Sequence, residues 1–384
     1  MGNKKQYVKY IMALGHFCAD FTQGTLSAVL PFLIASYHYN YATAASLVMV
    51  SNLIGSVIQP VFGVIADKVD RPHLVTLGVL LAGGGMAAVG FIPSFAGLCV
   101  AVVITGIGVA MVHPQGARIV NRMADESNMA LSMGVFSFGG NAGFTLGPVC
   151  AAAAVTLLGL KGTLTLLIPA IVFALIMGLF YRNYEGEQKA APKADETKSA
   201  GVKDRWGAFA TLSILVMSRS VIFSGISTFL ILYMIDAFGF SKPSGSALLS
   251  LFYAVGAICS LLGGKLADVK GLKKMLTISC IILTASTVAF ALSGSPVMAA
   301  ILAAVIGVGT NLGYSAMVTL GQLYIPNHVG LASGVTLGLS VSIGGILAPV
   351  LGSIGDSYGL HTVFYVLAAL SFVPVIIAVL VPKR

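Results

Sequence analysis

Gly63-Val64-Ile65-Ala66-Asp67-Lys68-Val69-Asp70-Arg71-Pro72-His73 is a short charged loop between two long apolar runs. It recurs once, as Gly264-Lys265-Leu266-Ala267-Asp268-Val269-Lys270-Gly271-Leu272-Lys273-Lys274. Asp67 and Asp268 stand 201 positions apart in a chain of 384. A charged loop repeated at half-length, inside an otherwise apolar chain, reads as two copies of one membrane-embedded unit.

The composition agrees. Hydrophobic residues make up 57% and charged residues 9%, against roughly 25% charged in a soluble domain. Such a chain cannot build a water-facing surface of normal size. The apolar runs are too long for the strands of about ten residues that a membrane β-barrel uses. The fold class is therefore an all-α membrane protein. A span needs about 20 mostly apolar residues. Twelve candidates follow, at 8–35, 43–66, 73–92, 96–120, 129–158, 162–182, 207–236, 245–267, 274–293, 297–324, 330–355 and 360–381. Six precede and six follow the polar segment 183–206, which reads as a solvated linker. The expected division is a six-helix bundle at 1–182, a cytoplasmic linker at 183–206 and a second six-helix bundle at 207–384.

With the N-terminus placed in the cytoplasm, 18 of the 22 Lys and Arg residues fall on the cytoplasmic side, as the positive-inside rule requires. Both termini are then cytoplasmic, in a multi-pass protein of the cell (inner) membrane. The net charge of +9 is thus a topology signal, and no nucleic-acid partner is expected. The first apolar run is too long, and carries charge, for a cleavable signal peptide. The cysteines Cys18, Cys99, Cys150, Cys259 and Cys280 lie in apolar runs without a Cys-x-x-Cys pair, so they read as core residues, with no metal expected.

The chemistry lies inside the spans. His16, Asp20, Gln23 and Ser27 fall at i, i+4, i+7 and i+11, on one face of the first span. An ionised Asp facing lipid costs at least about 2.5–3.5 kcal/mol, so Asp20 should face a cavity or a partner. It reads as a proton carrier or substrate counter-charge, with a structural ion pair as the alternative. His16 shares its face and joins it as a proton-coupling candidate. Arg219, in the seventh span, stands 199 positions after Asp20 and suits a carboxylate, phosphate or phosphonate. A plain Asp20–Arg219 pair is the alternative. The fourth span carries His113-Pro114 and Arg118. Its proline frees a backbone carbonyl. His113 is a candidate for both proton and substrate, and Arg118 for substrate. In the fifth span Gly139, Gly143 and Gly147 form a small-residue face for close helix approach, with Asn141 on a neighbouring polar face. Asn311 and Gln322 share a face of the tenth span.

The doubled Gly63-x-x-x-Asp67 and Gly264-x-x-x-Asp268 resemble the loop signature of the major facilitator superfamily. Gly-Pro at 147–148 and Ala-Pro at 348–349 repeat the 201-residue offset. The resemblance implies two pseudo-symmetric six-helix bundles with a substrate site between them, and a cytoplasmic gate in which Asp67 pairs with Arg71 and Asp268 with Lys273. A closer resemblance is to the fosmidomycin-resistance type of efflux protein. It rests on His16-x-x-x-Asp20-x-x-Gln23, His113-Pro114-x-x-x-Arg118, Gly139-Gly140-Asn141-x-Gly143-x-x-x-Gly147-Pro148, and Gln322 with Pro326. The Gly-x-x-x-Gly-Pro ending also resembles the signature of proton-coupled antiporters.

No Walker loop, His-Glu-x-x-His or nucleophile elbow is present, so an enzyme is not expected and no cofactor is required. The reading is a secondary transporter, acting as a monomer on a small molecule. Proton-coupled efflux of a drug or metabolite, including anionic or phosphonate-like ones, is what the resemblance implies. Two alternatives stay open: proton-coupled uptake of an organic anion, and a non-transporting membrane sensor. The sign of coupling depends on the substrate. A cation competes with a proton for Asp20 and gives antiport. An anion that takes Arg219 favours proton co-binding, hence symport unless His16 or His113 reverses it.

Overall fold

The computed structural model describes residues 2–68, 73–123, 129–184, 203–328, 331–332, 335–336 and 340–382. Within them the chain is helical, with short turns and loops between helices. α1 (Gly2–Tyr37), α2 (Tyr41–Lys68), α3 (His73–Ala88), α4 (Phe95–Met123), α5 (Met129–Leu158) and α6 (Ile168–Tyr184) come from the first half. α7 (Trp206–Phe238), α8 (Lys242–Lys270), α9 (Leu272–Ala291), α10 (Pro296–Asn311), α11 (Tyr314–Tyr324), α12 (Ser340–Tyr358), α13 (Leu360–Leu370) and α14 (Phe372–Leu380) come from the second. Ten stretches among the described residues are long and apolar enough to cross a membrane, and Tyr41–Gly55 is a shorter apolar helix. The fold is a twelve-span all-α membrane fold.

The spans differ from the sequence expectation at their interruptions. The sixth begins with 3-10 turns at Leu160–Leu167. The tenth is two helices, α10 and α11, parted at Leu312–Gly313. The twelfth is α13 and α14, parted at Ser371. Local chemistry explains the clean ends. Ser241 and Ser295 cap α8 and α10, each accepting a backbone N–H, with proline in the first turn. Gly239 closes α7 at φ 68°, with its N–H on the Ile235 carbonyl and the Phe240 N–H on that of Met234.

The helices pack where side chains vanish. A Cβ on Gly78 of α3 would lie 2.7 Å from the Gly108 carbonyl of α4, so these backbones meet directly, as small residues allow in membranes. Val75, Val79, Val112, Phe136 and Phe173 fill the core of the first half, and Leu212, Leu215, Leu276, Met317 and Tyr324 that of the second. Large apolar side chains point outward as well: Leu179 is 77% exposed, which only a lipid surround makes inexpensive.

The chain forms two compact units: 1–33 with 50–196, and 34–49 with 197–384. Residues 34–49 belong with the second unit through a specific contact. The backbone N–H groups of Tyr41 and Ala42, at the start of α2, donate to the two carboxylate oxygens of Asp356 in α12, at 2.7 and 2.9 Å. Asn40 caps the same helix through the Thr43 N–H. Gly352 lets the α2 backbone approach, since a Cβ there would lie 2.7 Å from the Ala42 nitrogen. Most of the linker 183–206 lies outside the described residues.

Candidate functional site

Asp20 lies within α1 and is 5% exposed. Its Oδ2 is 3.2 Å from His16 Nε2, one helical turn away on the same face. Its Oδ1 is 2.9 Å from Nε2 of His113, which α4 contributes beside its internal Pro114. His16 Nδ1 in turn donates to the backbone carbonyl of Phe136 in α5, at 2.8 Å. One carboxylate thus gathers α1, α4 and, through His16, α5. The Phe136 ring stacks on the His16 imidazole at 4.2 Å, and the His16 and His113 rings meet edge to face at 4.9 Å.

Counting protons defines what this cluster can hold. A carbonyl only accepts, so His16 Nδ1 carries a hydrogen. Neutral His16 then presents a lone pair at Nε2, facing an oxygen of Asp20. Two acceptors at 3.2 Å need a positive centre between them. A shared proton supplies one. Among the described residues, His16, Asp20 and His113 are also the cluster of three metal-ligating side chains, with ligand atoms all within 4.8 Å of one another.

The glycine face expected on α5 is what brings it onto α1. Cβ atoms on Gly139, Gly143 and Gly147 would strike the carbonyls of Ala13, Phe17 and Phe21. Gly140, off that ridge, lies over the cluster: a Cβ there would meet Asp20 Oδ2, and His16 Nε2 at 2.5 Å. The double Gly139-Gly140 is its only trace in the sequence. Phe136 accepts from His16 through its backbone carbonyl, which no residue type announces.

Gln23 donates to Asn52 Oδ1 of α2 at 3.4 Å, and no motif in the sequence singles out Asn52. Asn141 and Arg118 are half-buried on α5 and α4. Gln115 is buried on α4.

Arg219 is 6% exposed. Its guanidinium donates to Ser279 Oγ at 3.1 Å and to the carbonyls of Gly309 and Thr310 at 3.3 and 2.5 Å, with Cys280 Sγ at 3.4 Å. It joins α7 to α9 and to the last turn of α10, just before the break at Leu312–Gly313. The partners of Asp20 are two histidines and those of Arg219 are neutral oxygens and a sulfur, each set within its own unit. Asn311 bonds the Gly307 carbonyl and Thr310 Oγ1. Gln322 is half-buried on α11.

Of the expected gate, Arg71 and the Asp67 side chain lie outside the described residues. The Asp268–Lys273 pair is not formed. Asp268 is exposed at the end of α8, and Lys273 Nζ donates instead to the Val379 carbonyl at 2.9 Å. The reason is local. Gly271, at φ 93°, turns the chain between them, and the last carbonyls of α14 lack helical partners that a lysine can satisfy.

The family model described as Major Facilitator Superfamily matches residues 12–349, and again 213–384. The MFS-type transporter YfnC of Bacillus subtilis is 28% identical over 381 residues, covering 97% of this chain and 92% of that protein. The fosmidomycin resistance protein of Escherichia coli is 25% identical over 362 residues, covering 94% and 89%. Among solved structures, a bacterial homolog of the human lysosomal transporter Spinster, in an inward-facing and occupied conformation, superposes with a TM-score of 0.85 at 16% identity. It covers 99% of this chain and 97% of its own.

Proposed function

The chain belongs to the Major Facilitator Superfamily and is a membrane transporter rather than an enzyme; from that premise we propose that it exports a small molecule in exchange for protons. The observation that carries the proposal is Asp20, a carboxylate buried inside a span and held by the imidazoles of His16 and His113. An acid kept at membrane depth is costly and is retained for a task. One proton moved across 100 mV supplies about 2.3 kcal/mol, which is ample to drive an exchange. The proton shared by His16 and Asp20 sets the charge on the carboxylate that His113 of α4 binds, and this links protonation to the α1–α4 contact.

Efflux is supported by the name of the fosmidomycin resistance protein, 25% identical to this chain. A drug or metabolite, including an anionic or phosphonate-like one, is the proposed substrate. Gln23, Asn141, Arg118, Asn311, Gln322 and Arg219 are its proposed further contacts. Residues 1–182 and 207–384 are the proposed moving halves, joined by 183–206, and the gate role of Asp67, Arg71, Asp268 and Lys273 belongs to the same proposal. In this proposal the protein works as a monomer in the cell inner membrane, and the placement of 18 of its 22 Lys and Arg residues supports cytoplasmic termini.

The test is reconstitution of wild type and Asp20→Asn in liposomes with a trapped pH dye. Phosphonates, small organic anions and lipophilic cations are then added in turn. The proposal expects substrate-triggered proton flux opposite to substrate movement, lost in Asp20→Asn. Flux in the same direction as substrate makes the protein a symporter. Full proton flux in the variant overturns the role of Asp20.

A further inference from the structure

We propose that His16, Asp20 and His113 also bind a divalent transition-metal ion, Zn2+ fitting best. This goes beyond the proton reading and does not depend on it.

The donor set comes first. Two imidazole nitrogens and a carboxylate converge from α1 and α4 with ligand atoms all within 4.8 Å of one another. Zinc takes these ligands at about 2.0–2.2 Å in a tetrahedron, which sets neighbouring donor atoms about 3.4 Å apart. The two nitrogen–oxygen separations are 3.2 and 2.9 Å, so small side-chain rotations open the cluster around an ion.

The orientation comes second. Histidines that ligate a metal usually donate their other ring N–H to a carbonyl or carboxylate, which fixes the tautomer. His16 does this through Nδ1 to the Phe136 carbonyl at 2.8 Å. Its free lone pair is thereby aimed at Asp20. The Phe136 ring, stacked at 4.2 Å, holds the imidazole plane.

Room and charge come third. Gly140 carries no side chain to block the cluster, since a Cβ there would clash with Asp20 Oδ2 and His16 Nε2. Three protein ligands leave a fourth position open. A dication is also a stronger counter-charge for a buried carboxylate than a neutral imidazole. Imidazole-rich sets suit zinc, nickel and copper, whereas magnesium and calcium require oxygen ligands.

The experiment is calorimetric titration of the full chain in lipid nanodiscs with ZnCl2, and with MgCl2 as control. The expected result is saturable zinc binding without magnesium binding. Affinity should fall by at least about 10-fold in Asp20→Asn and in His113→Gln, and stay unchanged in His328→Gln. X-ray absorption at the zinc edge should report two imidazoles and a carboxylate. Should Asp20→Asn fail to fold, His113→Gln decides, with the zinc-induced thermal shift as a second readout. No saturable binding, equal binding of magnesium, or full affinity in His113→Gln overturns the proposal. Binding is read at equilibrium without a gradient, so it is independent of the proton-flux result.

Discussion

At the scale of single residues, the Asp20 cluster is held by contacts with little slack. His16 is fixed at both ring nitrogens, by Phe136 and by Asp20. Gly140 supplies the missing Cβ that makes the arrangement possible. Gly140→Ala is therefore expected to push Asp20 and His16 apart rather than α5 off α1, because the atoms it meets are side-chain ends. The outcome should be loss of substrate-driven proton flux approaching that of Asp20→Asn. The cost in stability should be about 1–3 kcal/mol, read by thermal unfolding in detergent alongside the flux assay. Wild-type flux in Gly140→Ala would show that the cluster tolerates being opened.

At the scale of helices, Arg219 and Asp356 hold different joints. Arg219 donates to two carbonyls at the end of α10 and to Ser279 of α9, where the tenth span breaks. Hydrogen bonds from a charged group contribute about 1.5–3 kcal/mol each. Arg219→Met should therefore lower the unfolding temperature clearly, and hydrogen exchange should quicken around residues 305–315. If stability is unchanged while affinity for an anionic substrate falls, Arg219 serves the substrate and not the joint. Asp356 receives the Tyr41 and Ala42 N–H groups at the start of α2, where a carboxylate also meets the positive end of the helix dipole. Asp356→Ala should cost about 0.5–2 kcal/mol and speed exchange of those two amides, as mass spectrometry of the peptide covering them would report.

At the scale of the whole molecule, the 201-residue repeat reappears as packing. Gly143 sits against the α1 backbone at Phe17 and Phe21. Gly344, 201 positions later, sits against the α7 backbone at Ser220, whose hydroxyl also accepts the Gly344 N–H at 3.0 Å. The same helix pair is thus built twice. The chemistry it carries is not: the first copy holds Asp20 and two histidines, the second Arg219 and neutral acceptors. The polar stretch between the copies reads in sequence as a linker. Replacing residues 185–202 by a Gly/Ser segment of equal length should leave transport within about twofold, since a polar linker sequence tolerates exchange. A large loss would give this stretch a role beyond tethering.

The class, the spans, the repeat and the presence of a buried acid on a polar helix face were all legible in the sequence. These are local or periodic properties. Hydropathy marks which 20 or so residues can enter a bilayer, and helical spacing places His16 beside Asp20. Which groups meet across helices became visible only in three dimensions. His113 reaches Asp20 from 93 positions away, Phe136 contributes a carbonyl, Gly140 contributes an absence, Arg219 turns to α10, and Lys273 turns to Val379 instead of Asp268. The cause is that lipid is as apolar as a leucine core. A span's sequence therefore says that it is buried, but not which of its apolar faces meets a neighbour. That rotation is set by close glycine approaches and a few hydrogen bonds, whose partners lie elsewhere in the chain.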